Sequence, residues 1–94
     1  MIIREIIWLE EIKEKCALKH NVTTDEVEGI LHGRPRFNFV EKGVQPGEDV
    51  YLARGRTEAG RCLMIYFILK KGGEALIVSA REMTRRERRS YEKK

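Results

Sequence analysis

The run Cys62-Leu63-Met64-Ile65-Tyr66-Phe67-Ile68 constrains the fold more than any other segment, because it shows no alternation of apolar and polar residues. A strand half exposed to water alternates with period two; one that stays apolar must be covered on both faces, in the centre of a sheet. The stretch ends at Leu69, far short of the roughly 20 residues that a membrane-crossing helix needs, so no membrane span is expected. Neighbouring strands are at hand. Val50 to Arg56 precedes it across Glu58-Ala59-Gly60, and Ala75 to Ala80 follows it across Lys70-Lys71-Gly72-Gly73, spacings that suit antiparallel hairpins. Upstream, Phe37 and Phe39 alternate with Asn38 and lead to Val40, which predicts one more strand before the turn-rich segment Glu41 to Gly47.

The first third of the chain reads differently. Ile2-Ile3 and Ile6-Ile7-Trp8 predict a short strand, and Leu9 to His20 a helix with Ile12 and Cys16 on one side. Lys19 and His20 fall in its last turn, where cations favour the negative end of the helix dipole, and Asn21 is suited to the left-handed conformation that closes a helix. Thr23-Thr24-Asp25-Glu26 is a capping box opening a second helix, whose apolar face is Val27, Ile30 and Leu31 and which Gly33 ends. The same Ser/Thr-x-x-Glu pattern recurs in Thr84-Arg85-Arg86-Glu87 and announces a last helix to about Tyr91. That helix has almost no apolar face, only Met83 and Tyr91 to anchor it, and so little to gain from packing on its own domain. The expectation is an α+β fold, one domain over residues 1–94: an antiparallel sheet of four to five strands, two N-terminal helices, a basic C-terminal helix, and the helices on one face.

Charge is where the chain departs from a generic small domain. Residues 81–94 hold seven bases against three acids, while the other twelve bases and twelve acids cancel, so the net +4 belongs to the tail. Such asymmetry points to an anionic partner, a nucleic acid or an acidic protein segment. Glu5 directly follows the only early base, Arg4, and no small-residue cleavage site follows an apolar run, which argues against a signal peptide and for the cytoplasm. Cys16 and Cys62 have no CxxC or Cys/His ligand spacing and read as buried thiols; no metal or cofactor is expected.

Taken in order, Trp8 opening a helix, Lys19-His20 closing it, Gly47-Glu48 before the third strand, Gly55, Ser79-Ala80-Arg81, and the basic run Arg85-Arg86-Glu87-Arg88-Arg89-Ser90-Tyr91 resemble the BrnT family of toxins from bacterial toxin–antitoxin systems. The resemblance spans Trp8 to Tyr91. It implies a RelE-like fold, metal-independent cleavage of cellular RNA, and neutralisation by a cognate BrnA-type antitoxin, with a homodimer or a toxin–antitoxin heterotetramer left open. The chain departs from the family pattern at Leu9, Ile12 and Cys16, and has Val50 and Leu76 where members carry arginines.

Cleaving RNA without a metal requires deprotonating the 2′-OH, protonating the leaving oxygen, and stabilising the extra charge on phosphorus with fixed donors. Arginine serves the last need best, being always charged and presenting paired N–H groups. Arg81, expected just beyond the end of a strand, leads the candidates, with Arg54 or Arg56 reaching the same end from a neighbouring strand. His20 beside Lys19 is suited to proton transfer, though a helix end accounts for it equally well. His32, just before Gly33, fits the helix-end explanation better than a functional one, and Trp8 reads as core rather than as an RNA platform. Arg85, Arg86, Arg88 and Arg89 are expected to bind RNA, with Tyr91 either stacking on a base or packing on the strand beneath. Two other readings stand beside the toxin: a catalytically impaired module that binds RNA or an acidic antitoxin through the basic helix, and an interaction protein in which that helix serves assembly alone.

Overall fold

The computed structural model describes residues 1–93; Lys94, counted above in the basic tail, lies outside them. In chain order the elements are β1 (Glu5–Ile7), α1 (Glu10–His20), α2 (Thr24–Leu31), β2 (Arg36–Glu41), β3 (Asp49–Arg56), β4 (Cys62–Lys70), β5 (Glu74–Glu82) and α3 (Arg85–Glu92). The strands form one sheet in the order β1-β5-β4-β3-β2, which puts the apolar run in the middle, as its composition requires. Strands β2 to β5 form an antiparallel meander. β1 instead pairs parallel to β5, Glu5 to Ile7 against Glu74 to Leu76. The sheet is therefore mixed, not wholly antiparallel. The meander leaves β5 with one open edge, and two helices separate β1 from β2, so β1 reaches that edge and is anchored by the Arg4 amide donating to the Gly73 carbonyl at 2.8 Å.

Local signals settle the ends of the elements. Asn21 closes α1 in the left-handed region at φ 52°. Thr23 Oγ1 accepts from the Glu26 amide while Glu26 returns the bond to the Thr23 amide, and Thr84 with Glu87 does the same for α3. The β4–β5 turn needs Gly72 and Gly73, both near φ +87° and +86°, a conformation costly for any side chain with a Cβ.

Two faces result. On one, Leu63, Ile65 and Phe67 of β4 are completely buried, with Ala53, Ile77 and Ala80 beside them, under Cys16, Val22, Val27, Ile30 and Leu31 of the α1–α2 layer. Phe37 meets Phe67 edge-on at 6.0 Å and Tyr51 stacks on it at 6.0 Å. On the other face Cys62, Met64 and Met83 are buried with Leu52, Tyr66 and Tyr91 packed against them. Tyr91 belongs to α3, so the helices are not confined to one side as the sequence suggested. Both cysteines are buried and free, one on each face.

Gly55 sits where α2 crosses β3, and a Cβ there would stand 2.6 Å from Ile30 Cγ2. Gly55→Ala is therefore expected to destabilise the fold by about 1–3 kcal/mol through overpacking, read as a lower urea midpoint at unchanged slope.

Candidate functional site

Directly opposite residues on paired strands project to the same face. Arg36 of β2 stands opposite Arg54 of β3, Arg54 opposite Met64 of β4, and Met64 opposite Arg81 of β5. Three guanidinium-bearing residues thus share one row across the sheet, on the face of Cys62 and Met64. Arg56, opposite Cys62, adds a fourth in the next row. Two expectations need correcting. β5 runs on to Glu82, so Arg81 lies inside the strand and not beyond it. β3 is not adjacent to β5 either, because β4 stands between them and Met64 separates Arg54 from Arg81.

α3 supplies carboxylates to this row. Arg81 Nη1 and Nη2 donate to Glu87 Oε1 and Oε2 at 2.7 and 2.8 Å, a bidentate pair, and the Thr84 amide donates to the same Oε1 at 2.9 Å. Those donors, Arg81 first and then Thr84, hold the Glu87 carboxyl at about 2, well below its ordinary range. Hydrogen bonding to Glu87 in turn raises the Arg81 guanidinium, with a smaller contribution from Tyr66. Arg56 Nη2 meets Glu92 Oε2 at 2.7 Å, which Arg88 also approaches at 3.4 Å. The Arg36 guanidinium lies over the Tyr91 ring, 4.8 Å from its centroid. Arg54 donates from Nη2 to Asn38 Oδ1 at 2.9 Å, while its Nε is buried with no partner.

The expectation that α3 gains little from its own domain is thus corrected in kind. The helix buries no residue of its own fully, yet two ion pairs, one cation–π contact and the half-buried Tyr91 hold it on the sheet. Arg85, Arg86, Arg88 and Arg89 are exposed, and of these only Arg88 makes a salt bridge among the described residues. Tyr91 packs on Cys62, Met64 and Met83 and so follows the strand-packing alternative.

Lys19 is exposed and His20 half-buried at the end of α1, which packs on the opposite face of the sheet. Among the described residues no hydrogen bond or salt bridge joins either to Arg54, Arg56 or Arg81. They do share an end of the sheet with these arginines. The Asn21 carbonyl accepts from Arg61 Nη1 at 2.8 Å, and Arg61 also meets Glu26 at 2.9 Å and Glu82 at 3.5 Å. A cavity of about 460 Å³ opens between α2 and the β3–β4 turn and is lined by Asp25, Glu26 and Glu58 as well as Arg56; its acids make it a poor host for a phosphate. Among the described residues no group of three His, Cys, Asp or Glu side chains converges as a metal site, and no helix is long and apolar enough to cross a membrane.

Arg36, Asn38, Glu87 and Tyr66 were absent from the sequence-derived site. A signal for the first two existed: Arg36 and Asn38 alternate with Phe37 and Phe39, and if the phenylalanines face the core the others face away from it. For Glu87 the local capping pattern accounts for the residue by itself, and its second partner, Arg81, depends on how α3 folds back on β5.

The pH response of α3 follows from Glu87. Because its folded value is depressed, the stabilisation is fully present above the ordinary value of 4.5 and is lost as pH falls toward about 2. Allowing for partial exposure, that amounts to an order of 1–2 kcal/mol. A carboxyl-resolved NMR titration should show Glu87 titrating last, with α3 amide signals moving alongside. Glu87→Gln preserves the cap but removes the charge, and should abolish that acid step.

The geometry can be set beside known proteins. No curated relative matches the chain in sequence. Among solved structures it is similar to the Brucella abortus ribonuclease toxin BrnT, known from a 1.1 Å crystal structure, with 16% identity, a TM-score of 0.64, and coverage of 86% of this chain and 97% of that one. At that identity the likeness establishes the fold. The model of the ribonuclease toxin BrnT of type II toxin–antitoxin systems matches residues 8–87, from Trp8 through Arg81 to the Glu87 that grips it, and this chain therefore belongs to the BrnT toxin family.

Proposed function

We propose that this chain is a single-domain, cytoplasmic, metal-independent endoribonuclease toxin, held inactive by a cognate antitoxin. The observation that carries the reading is the row Arg36, Arg54, Arg81 on one sheet face, where the Glu87 carboxylate of α3 already occupies Arg81 in the way a phosphate would. Arg81 and Arg54, with Arg56 beside them, take the non-bridging oxygens of the scissile phosphate and stabilise the charge that builds up as the 2′-oxygen attacks. The exposed Arg85, Arg86, Arg88 and Arg89 lead the flanking backbone along α3 toward this face, and Lys19 with His20 serves the same end of the sheet from the other side. An acidic antitoxin segment competes for the same arginines, since carboxylate and phosphate ask for the same paired donors.

One observation favours a second reading, a module that binds RNA or antitoxin without cleaving. Val50, Ile68, Leu76 and Ile7 stand opposite one another in a row on the same face as Arg54 and Arg81, so the arginines missing at positions 50 and 76 would have extended this very surface.

Incubation of the antitoxin-free protein with RNA in excess EDTA, beside Arg81→Ala, separates the two. The toxin reading expects fragments from the parent and at least about 10²-fold fewer from the variant, the scale of losing one donor to developing charge. Binding without product would favour the module. For either, each of Arg85, Arg86 and Arg89 changed to alanine should weaken RNA binding and flatten the slope of log affinity against log salt by about 0.7. A slope unchanged by all three would remove α3 from the binding surface.

A further inference from the structure

Charge stabilisation is only one of the three tasks of RNA cleavage, and the arginine face must also put a proton on the departing 5′-oxygen. The side chains around Arg81 on that face are few. Met64 and Met83 carry no exchangeable proton, and Cys62 is shut off from solvent with 1% exposure. Glu87 is ionised and filled by Arg81 and Thr84, so it has no proton to give. Ser79 is too weak an acid to protonate an alkoxide in flight. Tyr91 packs on the same apolar patch as Tyr66, but its ring is taken by Arg36 of β2, and it makes no contribution to the Arg81 guanidinium.

Tyr66 remains. It stands on β4 opposite Ser79, two residues from Met64 and therefore on the face of Met64 and Arg81. It is half-buried, and its phenol lies near enough to Arg81 to help raise the guanidinium. Among the described residues no carboxylate or backbone group takes its hydroxyl.

We propose that Tyr66 is a further catalytic residue, the general acid that protonates the 5′-oxygen while Arg81 holds the phosphate. The inference rests on the ribonuclease reading above. In the step, the 2′-oxygen, its proton lost to solvent, forms a bond to phosphorus; the P–O5′ bond breaks with its electron pair going to O5′; and O5′ takes the phenolic proton. The products are a 2′,3′-cyclic phosphate and a 5′-hydroxyl, and the phenolate recovers a proton from water. The pairing with Arg81 suits the task, because the guanidinium that steadies the phosphorane also steadies the phenolate left behind.

Tyr66→Phe removes the proton and keeps the ring, so the packing on Cys62, Met64 and Leu52 survives. A short oligoribonucleotide cut by the parent is compared with its analogue carrying sulfur in place of the bridging 5′-oxygen at that bond, because a thiolate leaves without protonation. The expected result is cleavage of the oxygen substrate slowed about 10²-fold or more, unchanged affinity for RNA, and a rate on the sulfur substrate close to the parent's. Parental rates on oxygen, or equal slowing on both substrates with the fold intact, would overturn the assignment. If the parent cuts no RNA at all, the ribonuclease reading itself falls and this role with it, whereas an active parent with an equally active variant removes Tyr66 alone.

Discussion

Leu63, Ile65 and Phe67 are buried on one face of β4 while Cys62 and Met64 are buried on the other, so this strand needs a cover on each side, and the two covers are of different kinds. The α1–α2 layer is apolar and gains from area: full burial of a Leu, Ile or Phe side chain contributes about 1.5–3 kcal/mol. α3 has no such stripe and brings mainly Tyr91. Its place on the sheet depends on Glu87 and Glu92 finding Arg81 and Arg56. The requirement to shield β4 thus draws arginines and carboxylates together over the second face.

Ion pairs exposed to water stabilise little, commonly 0–1 kcal/mol, and the pair between Arg56 and Glu92 is of that sort, with both side chains nearly half exposed. The Arg81–Glu87 pair differs in two respects. It is bidentate, and the oxygen that receives Arg81 also receives the Thr84 amide that starts α3. One carboxylate therefore fixes both the helix's first turn and its attachment to β5. Loss of that single group would loosen α3 as a unit, because neither the cap nor Tyr91 alone holds it to the strand.

What could be read from the chain follows the range of each interaction. The caps at Thr23 and Thr84, the left-handed Asn21 and the glycine turn after β4 are decided within a few residues, and each was visible as a local pattern. The central place of β4 was visible too, because an unbroken apolar run has few other destinations. The parallel pairing of β1 was not, since Glu5–Ile7 pairs with a strand nearly the whole chain away and no short-range signal sets its direction. The arginine site shows the same division. Arg54, Arg56 and Arg81 stood out by chemistry and period, but their registration with Arg36 across β4 depends on hairpin registers, including the irregularity between Tyr66 and Phe67, that composition does not specify. Lys19 and His20 show the converse: close to the arginines by family motif, yet placed by α1 on the far face.

The occupied state of the arginine row bears on how it meets an anion. A guanidinium left bare and half-buried would be costly, since a desolvated charge needs a partner. Here Arg81 is already partnered and Arg36 lies on an aromatic ring, so the fold carries the desolvation before any ligand arrives. An RNA phosphate or an antitoxin carboxylate that reaches Arg81 must then exchange with Glu87, one anion for another. The net gain is the difference between two similar interactions and not the full strength of either. Affinity must come from elsewhere, from Arg85, Arg86 and Arg89, which make no salt bridge among the described residues, and from Arg54, whose side chain there bonds only the neutral Asn38. On this argument the row Ile7, Leu76, Ile68, Val50 matters as much as the cations. With arginines absent at positions 50 and 76, the approach to the site is apolar along one flank and cationic along the other, and a ligand favoured by both flanks must itself be amphipathic.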